Sequence, residues 1–233
     1  MTPERGVRGV RACAWPVWAS VEVEEDWVSG VYMGRLSTRP FLHETVASWQ
    51  SYVIFIVTDD KPADVLFQCS DNTWQAYNGW PEGDSLYTRG SNGTSLHDDY
   101  DVSFDRPYGK QAQFESVVCD PQSIGSGEFL SLEYPAVYWL EQQGLSVRYV
   151  SNSDLVDASA GAGCKVMISI GHDEYLLRAT QMVISKLSHC ESLRSSENSV
   201  RLILNSGGLN ERGGAGTGTC ASSKACAHCA TTV

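Results

Sequence analysis

Val166-Met167-Ile168-Ser169-Ile170-Gly171-His172-Asp173-Glu174-Tyr175 is the stretch on which the reading of this chain turns. A short apolar run from Val166 to Ile170 fits a strand covered on both faces, as in a parallel sheet. The run stops at a glycine, and His172, Asp173, Glu174 and Tyr175 follow at once. In open α/β sheets ligands sit beyond the carboxyl ends of the strands, so site chemistry is expected here. The plainer alternative is a strand followed by a helix start whose acids favour the helix dipole.

Working outward, Ser51 to Val57 is nearly continuous in β-branched and aromatic residues and is expected to be a central, buried strand. Ala63 to Gln68 reads as a second strand with no room for a crossover helix before it. Ser70 to Asn78 is dense in hydrogen-bonding side chains. Residues 79–100, rich in Gly, Ser, Asn and Asp, read as a long surface loop. Val102 to Gly109 is an extended piece closed by a turn at Pro107. Glu128 to Gln143 has apolar residues at helical spacing, with Pro135 marking a kink or break and Gly144 a stop. Ser146 to Val150 is a strand, and Leu176 to Leu187 a further helix. The alternation favours a doubly wound α/β layer structure.

Before this core, Val17 to Glu24 alternates apolar and polar residues, as a half-exposed strand does. With a short strand at Gly30 to Met33 it reads as the remnant of a β-sandwich. The expected organisation is therefore residues 1–36 as tail and β-sandwich remnant, 37–190 as the α/β domain, and 191–233 as a divergent, disordered tail.

The chain has 233 residues, and 28 acidic against 17 basic residues leave a net charge of −11. That balance argues against nucleic acid and anionic membranes as partners, because both call for clustered Lys and Arg. No run reaches the roughly eighteen apolar residues of a spanning helix, and no apolar leader segment follows the N-terminal arginines. The expected compartment is the cytoplasm. Of eight cysteines, five are scattered in the manner of buried free thiols. Cys220, Cys226, His228 and Cys229 bunch in the tail, but a zinc site wants two separated ligand pairs.

Tyr77, Tyr108 and Glu174 each stand at the end of a short extended element. Ligation by phenolate and carboxylate suits a hard ion such as ferric iron and suits zinc or copper(I) poorly. The competing reading of each tyrosine is a core aromatic bonding through its hydroxyl. His172 is expected across the backbone from Glu174, so that one is a ligand and the other a nearby acid, base or hydrogen-bond donor. Cys69, just after a strand, occupies the place of an amidotransferase-like nucleophile, but no histidine pairs with it locally, so it reads as a core residue or one that supports the site from behind. Gly-x-Ser-x-Gly, dinucleotide-binding and Walker A patterns are missing.

Trp27 to Tyr32, Ser51 to Val57, Asp59-Asp60, Asp64 to Asn78, Val102 to Tyr108, Gly125 to Leu130, Trp139 to Gln142 and Gly171 to Tyr175 occur in this order. Together they resemble the C-terminal domain of the large subunit of N,N-dimethylformamidase and its relatives, from about residue 26 to about residue 180. The resemblance implies a glutamine-amidotransferase-like α/β core behind β-sandwich material. It also implies an amidohydrolase with a mononuclear ferric ion held by Tyr77, Tyr108 and Glu174, and with His172 and Asp173 as the catalytic pair. A small amide such as N,N-dimethylformamide is the implied substrate, and a small partner subunit and a homo-oligomer are the implied assembly. After about residue 190 the family's further acid and lysine find no match, and Leu176 stands where a tryptophan is expected. The alternative is a truncated, catalytically dead remnant or binding module of the same fold.

Overall fold

Phe67, Tyr149 and Ile168 lie side by side in one row of a parallel sheet, and the interior of the protein is built around that row. The computed structural model describes residues 4, 6, 10–38, 50–89, 94–95, 101–110, 118–120, 122–157, 159–175 and 202–203. The sheet has four strands, β3 (Ala63–Gln68), β6 (Val147–Val150), β7 (Cys164–Ser169) and β8 (Leu202–Ile203), in the order β6-β3-β7-β8, while β4 (Thr88–Arg89) and β5 (Thr94–Ser95) pair only with each other among the described residues. Every pairing in the four-stranded sheet is parallel. Numbered along the sheet, this is 2-1-3-4, the start of the doubly wound order whose switch point falls between its first and third strands. The expected α/β class is therefore observed, and the crevice at that switch point opens between β3 and β7.

A parallel sheet needs cover on both faces, and strand alternation supplies it. Val65, Phe67, Tyr149 and Ile168 face Trp74, Phe129, Val137 and Leu140. Those four residues come from three helices, α1 (Asp71–Tyr77), α2 (Phe129–Leu132) and α3 (Tyr134–Gln142). Leu66, Val150 and Met167 face the other way, onto Leu155 in a single 3-10 turn (Asp154–Val156). Phe67, Leu66 and Leu155 are wholly buried, and each contributes about 2 kcal/mol in the transfer of apolar surface from water.

The helix expected over 128–143 is two helices that meet at Glu133. Pro135 lies in the first turn of α3, where its missing N–H costs nothing. Gly144 ends α3 with a positive φ of 72°. The helix expected over 176–187 and the tail from residue 190, apart from β8, lie outside the described residues.

Two expectations fail here for physical reasons. The strand at 51–57 is not central in the parallel sheet. It is β2 (Gln50–Val57), and it pairs antiparallel along its whole length with β1 (Gly30–Ser37) in a separate ribbon. It reads apolar on both faces because Ile54 and Ile56 pack on the core while Phe55 stacks on Tyr32, and Tyr32 on Trp27. The alternating segment 17–24 is not a strand, since among the described residues nothing pairs with it; Trp18 is 89% exposed. Among these residues, no helix is long and apolar enough to cross a membrane.

Two buried carboxyls give the fold a pH dependence. One oxygen of Glu133 accepts hydrogen bonds from Ser70 N, Ser70 Oγ and Trp74 Nε1. The other has no hydrogen bond among the described residues. Burial pushes Glu133 up to about 8 and Asp71 up to about 7. From the usual carboxylate range up to those values the folded chain keeps protons that the unfolded chain has released. Stability therefore falls as pH rises through that window. Glu133→Gln is expected to flatten the upper part of this loss in denaturant unfolding measured at a series of pH values.

Candidate functional site

The exit from β7 needs a glycine. Gly171 has φ +88°, and a Cβ there would lie 2.9 Å from Leu132 Cβ of α2, a conformation and an approach that only glycine permits cheaply. The chain then crosses the start of α1. Glu174 N donates to Thr73 Oγ1 at 2.9 Å, and Asn72 Nδ2 donates to Tyr175 O at 3.1 Å. Asp173 is gripped from the sheet: Gln68 Nε2 at 2.6 Å and Ser169 Oγ at 2.8 Å both donate to its Oδ2. Those two donors are register partners at the ends of β3 and β7, so the sheet itself sets the position of residues 172–175.

With the backbone held this way, Glu174 meets Tyr77, the last residue of α1. Tyr77 Oη donates to Glu174 Oε2 at 3.1 Å and lies 3.4 Å from His172 Nε2; that nitrogen lies 3.2 Å from the same carboxylate oxygen. His172 is thus on the same side as Glu174, as residues two apart in extended chain are, and not across the backbone from it. A third group arrives from the following turn. Tyr87 Oη donates to Glu174 Oε2 at 2.8 Å and also bonds Tyr175 Oη. The Tyr77 and Tyr87 ring centroids are 4.6 Å apart.

The turn that carries Tyr87 was expected to be surface loop, yet Pro81, Asp84 and Ser85 are buried. The cause is Arg106. Its buried guanidinium donates to the carbonyls of Gln75, Trp80, Asp84 and Ser103, using the fixed fork of donors that only arginine offers. Ser85 Oγ accepts from Tyr87 N and Thr88 N, and Leu86 N donates to Ala76 O.

The chain matches, over residues 3–188, the family described as N,N-dimethylformamidase beta subunit-like, C-terminal. It belongs to that family. No curated protein matches it. The family match begins well ahead of residue 26, where the motif-level resemblance starts, and so takes in most of the N-terminal segment as well.

Within this family member three of the predicted site residues meet through hydrogen bonds. Tyr77, His172 and Glu174 converge. Asp173 does not point to them; its oxygens are occupied by Gln68, Ser169 and Asn152, so it anchors the segment. Tyr108 has its described ring contact with Trp74, edge-on at 6.3 Å. It lines a small cleft with Trp74, Asn78, Gly109 and Lys110. Asn78 holds it there by donating to Pro107 O and accepting from Gly109 N. Cys69 is fully buried, and burial and then the charges of Glu133 and Asp71 push its thiol well up. A nucleophile needs an accessible thiolate, so the amidotransferase-like reading of Cys69 fails. Tyr87 was missed because its surroundings read as loop.

The donor set around Glu174 is one carboxylate, phenols and one imidazole. Among the described residues no three His, Cys, Asp or Glu side chains gather to hold a metal; the oxygens that meet at this cluster are those of Glu174 and the phenols. That composition fits a hard, highly charged ion. Burial raises the phenol of Tyr77 above its ordinary range. It also raises Tyr87 and Tyr175, so all three phenols stay protonated at neutral pH.

The anchoring predicts a stability effect. Thr73→Val leaves the Glu174 N–H unpaired inside the protein and is expected to cost about 1–3 kcal/mol. Thr73→Ser is expected to cost clearly less in the same chemical unfolding experiment.

Proposed function

We propose that this chain is an amidohydrolase-like domain that binds a single ferric ion beside Glu174 and hydrolyses a small linear amide of the formamide type. The observation that carries this reading is the meeting of Tyr77, His172 and Glu174 at the switch point of a parallel sheet, within 3.4 Å of one another. Membership of the dimethylformamidase-like family supports the substrate class. The strand order supports a glutamine-amidotransferase-like arrangement of the core.

Tyr77 and Glu174 would hold the ion. Bound there, it would supply Lewis acidity toward an amide carbonyl and lower the pKa of a water at the site. Everything else falls to the chain. Glu174 fixes the charge of the site, and Thr73 and Asn72 hold its backbone so that Oε2 stays on the phenols. His172 is the imidazole of the cluster, and its side chain is 36% accessible against 22% for Glu174. Its Nε2 is the atom placed to accept a proton from an attacking water and return it to the departing amine. Asp173 orients the segment through Gln68 and Ser169. The beta-subunit wording of the family description supports a second, partner subunit.

A second reading keeps the fold without the chemistry. Glu174 Oε2 already accepts bonds from two phenols, and that arrangement would also serve a purely structural cluster. Purified protein reconstituted with iron distinguishes them. The amidohydrolase reading predicts about one iron per chain, a visible phenolate-to-iron absorption that is lost or weakened in Tyr77→Phe, and amine release from N,N-dimethylformamide or formamide. Protein that stays colourless and iron-free after reconstitution supports the structural reading instead.

A further inference from the structure

We infer that residues 10–15 form a strap in which Arg11 is a positioning residue: it fixes the turn bearing Tyr87 and, through that turn, the bond from Tyr87 to Glu174. This rests on the reading of the Glu174 cluster as the working site. It adds a residue remote in sequence from every group there.

The strap is fastened at three points. Arg11 Nε donates to Asp84 Oδ2 at 2.7 Å, and its Nη2 donates to Glu82 Oε2 at 3.0 Å. The Cys13 N–H donates to the carbonyl of Asp105, next to Arg106. Trp15 meets Trp80 edge-on, with ring centroids 5.8 Å apart. Two of the three fastenings land on residues 80–84, and all lie inside the span of the family match.

The Arg11 and Asp84 side chains are only 10% and 2% exposed, and solvent screens a pair so buried weakly. Asp84 is gripped twice, its carboxylate by Arg11 and its carbonyl by Arg106. Glu82 has a φ of 58° and Gly83 one of 82°. Such backbone disfavours a residue with a side chain, and Arg11 holds Glu82 in it from outside. The path onward is short. Gly83 O accepts from Thr88 Oγ1, and Ser85 Oγ accepts from Tyr87 N and Thr88 N. Tyr87 then reaches Glu174 Oε2 at 2.8 Å. Without the Arg11 guanidinium, the buried carboxylate of Asp84 loses this cation and favours an opened turn where water reaches it. Displacing residues 82–84 displaces Tyr87 Oη, and a hydrogen bond weakens steeply outside its narrow range of distance and angle.

The test uses the full, metal-free chain with its tyrosines labelled with carbon-13 at the ring carbon that bears the hydroxyl. The Tyr87 signal is assigned by its loss in Tyr87→Phe, and its position without the Glu174 bond is read from Glu174→Ala. Arg11→Met keeps an apolar stem and removes the charge. In that variant the Tyr87 signal is expected to move toward its position in Glu174→Ala, while the signals of Tyr134 and Tyr138 stay in place. Amide exchange at Leu86, Tyr87 and Thr88 is expected to rise at least about tenfold, as a local opening does, with β3 and β7 unchanged. Arg11→Lys keeps the charge without the fork of donors and is expected to fall between. Arg35→Met, at an exposed position of β1, is expected to change neither readout.

An unmoved Tyr87 signal with unchanged exchange in Arg11→Met overturns the inference. So does an equal rise of exchange in the turn, β3 and β7, which makes Arg11 a general stabiliser. Should Arg11→Met not fold by circular dichroism, the double variant Arg11→Met with Asp84→Asn decides, because it removes the buried charge as well. A displaced Tyr87 signal there supports the strap, and a native one overturns it. A parent chain that takes up no iron and releases no amine counts against the amidohydrolase reading alone. The Tyr87 signal, read without metal, decides the strap in either case.

Discussion

The pairing of Gln68 with Ser169 at the carboxyl ends of β3 and β7 is the constraint on which the site depends. Both side chains donate to one oxygen of Asp173, so the register of two parallel strands becomes the position of a loop. Because side chains alternate along a strand, a slip of one residue would turn both donors to the opposite face. The packed row of Phe67, Tyr149 and Ile168, one residue earlier, prevents that slip. Core packing and site geometry are therefore one problem, solved at neighbouring rows of the sheet.

Around that point the protein uses buried polar groups as fixings. Asn152 donates through its backbone to Asp71 and accepts from Asn72 N, which locks the loop after β6 to the start of α1. Glu133 ties the break between α2 and α3 to Ser70 and Trp74. Arg106 closes the end of α1 through Gln75 O, where a cation also complements the helix dipole. Buried polar groups are tolerated when they are paired. Here they surround α1, the short helix that offers Thr73 to the Glu174 backbone and Tyr77 to the Glu174 side chain. The buried carboxyls make this scaffold firmer at lower pH.

Much of this was legible in the residues. The run Val166 to Ile170, ended by Gly171, correctly marked a strand and a turn, because a covered strand needs continuous apolar character and a sharp turn needs glycine. Tyr77 and Glu174 were legible as hydrogen-bonding groups at element ends, although the element that ends at Tyr77 is the helix α1 and not an extended piece. Ser51 to Val57 misled: an aromatic stack of Trp27, Tyr32 and Phe55 on an outer ribbon imitates the two-sided burial of a central strand. Tyr87 was hidden because small polar residues signal a loop. What buries that loop is Arg106, nineteen positions on from Tyr87 in sequence, a long-range contact with no local signature. Tyr108 stands in a recognisable motif, and its edge-on packing against Trp74 is a contact that motif order does not report.

The most direct test of this account is a crystal structure of the iron-loaded protein with diffraction recorded at the iron absorption edge. The account predicts one anomalous peak per chain, within ligating distance of Glu174 Oε2 and Tyr77 Oη at the carboxyl ends of β3 and β7. A peak elsewhere, or a fully loaded crystal in which Tyr77 Oη still donates directly to Glu174 Oε2 with no metal beside them, would contradict it.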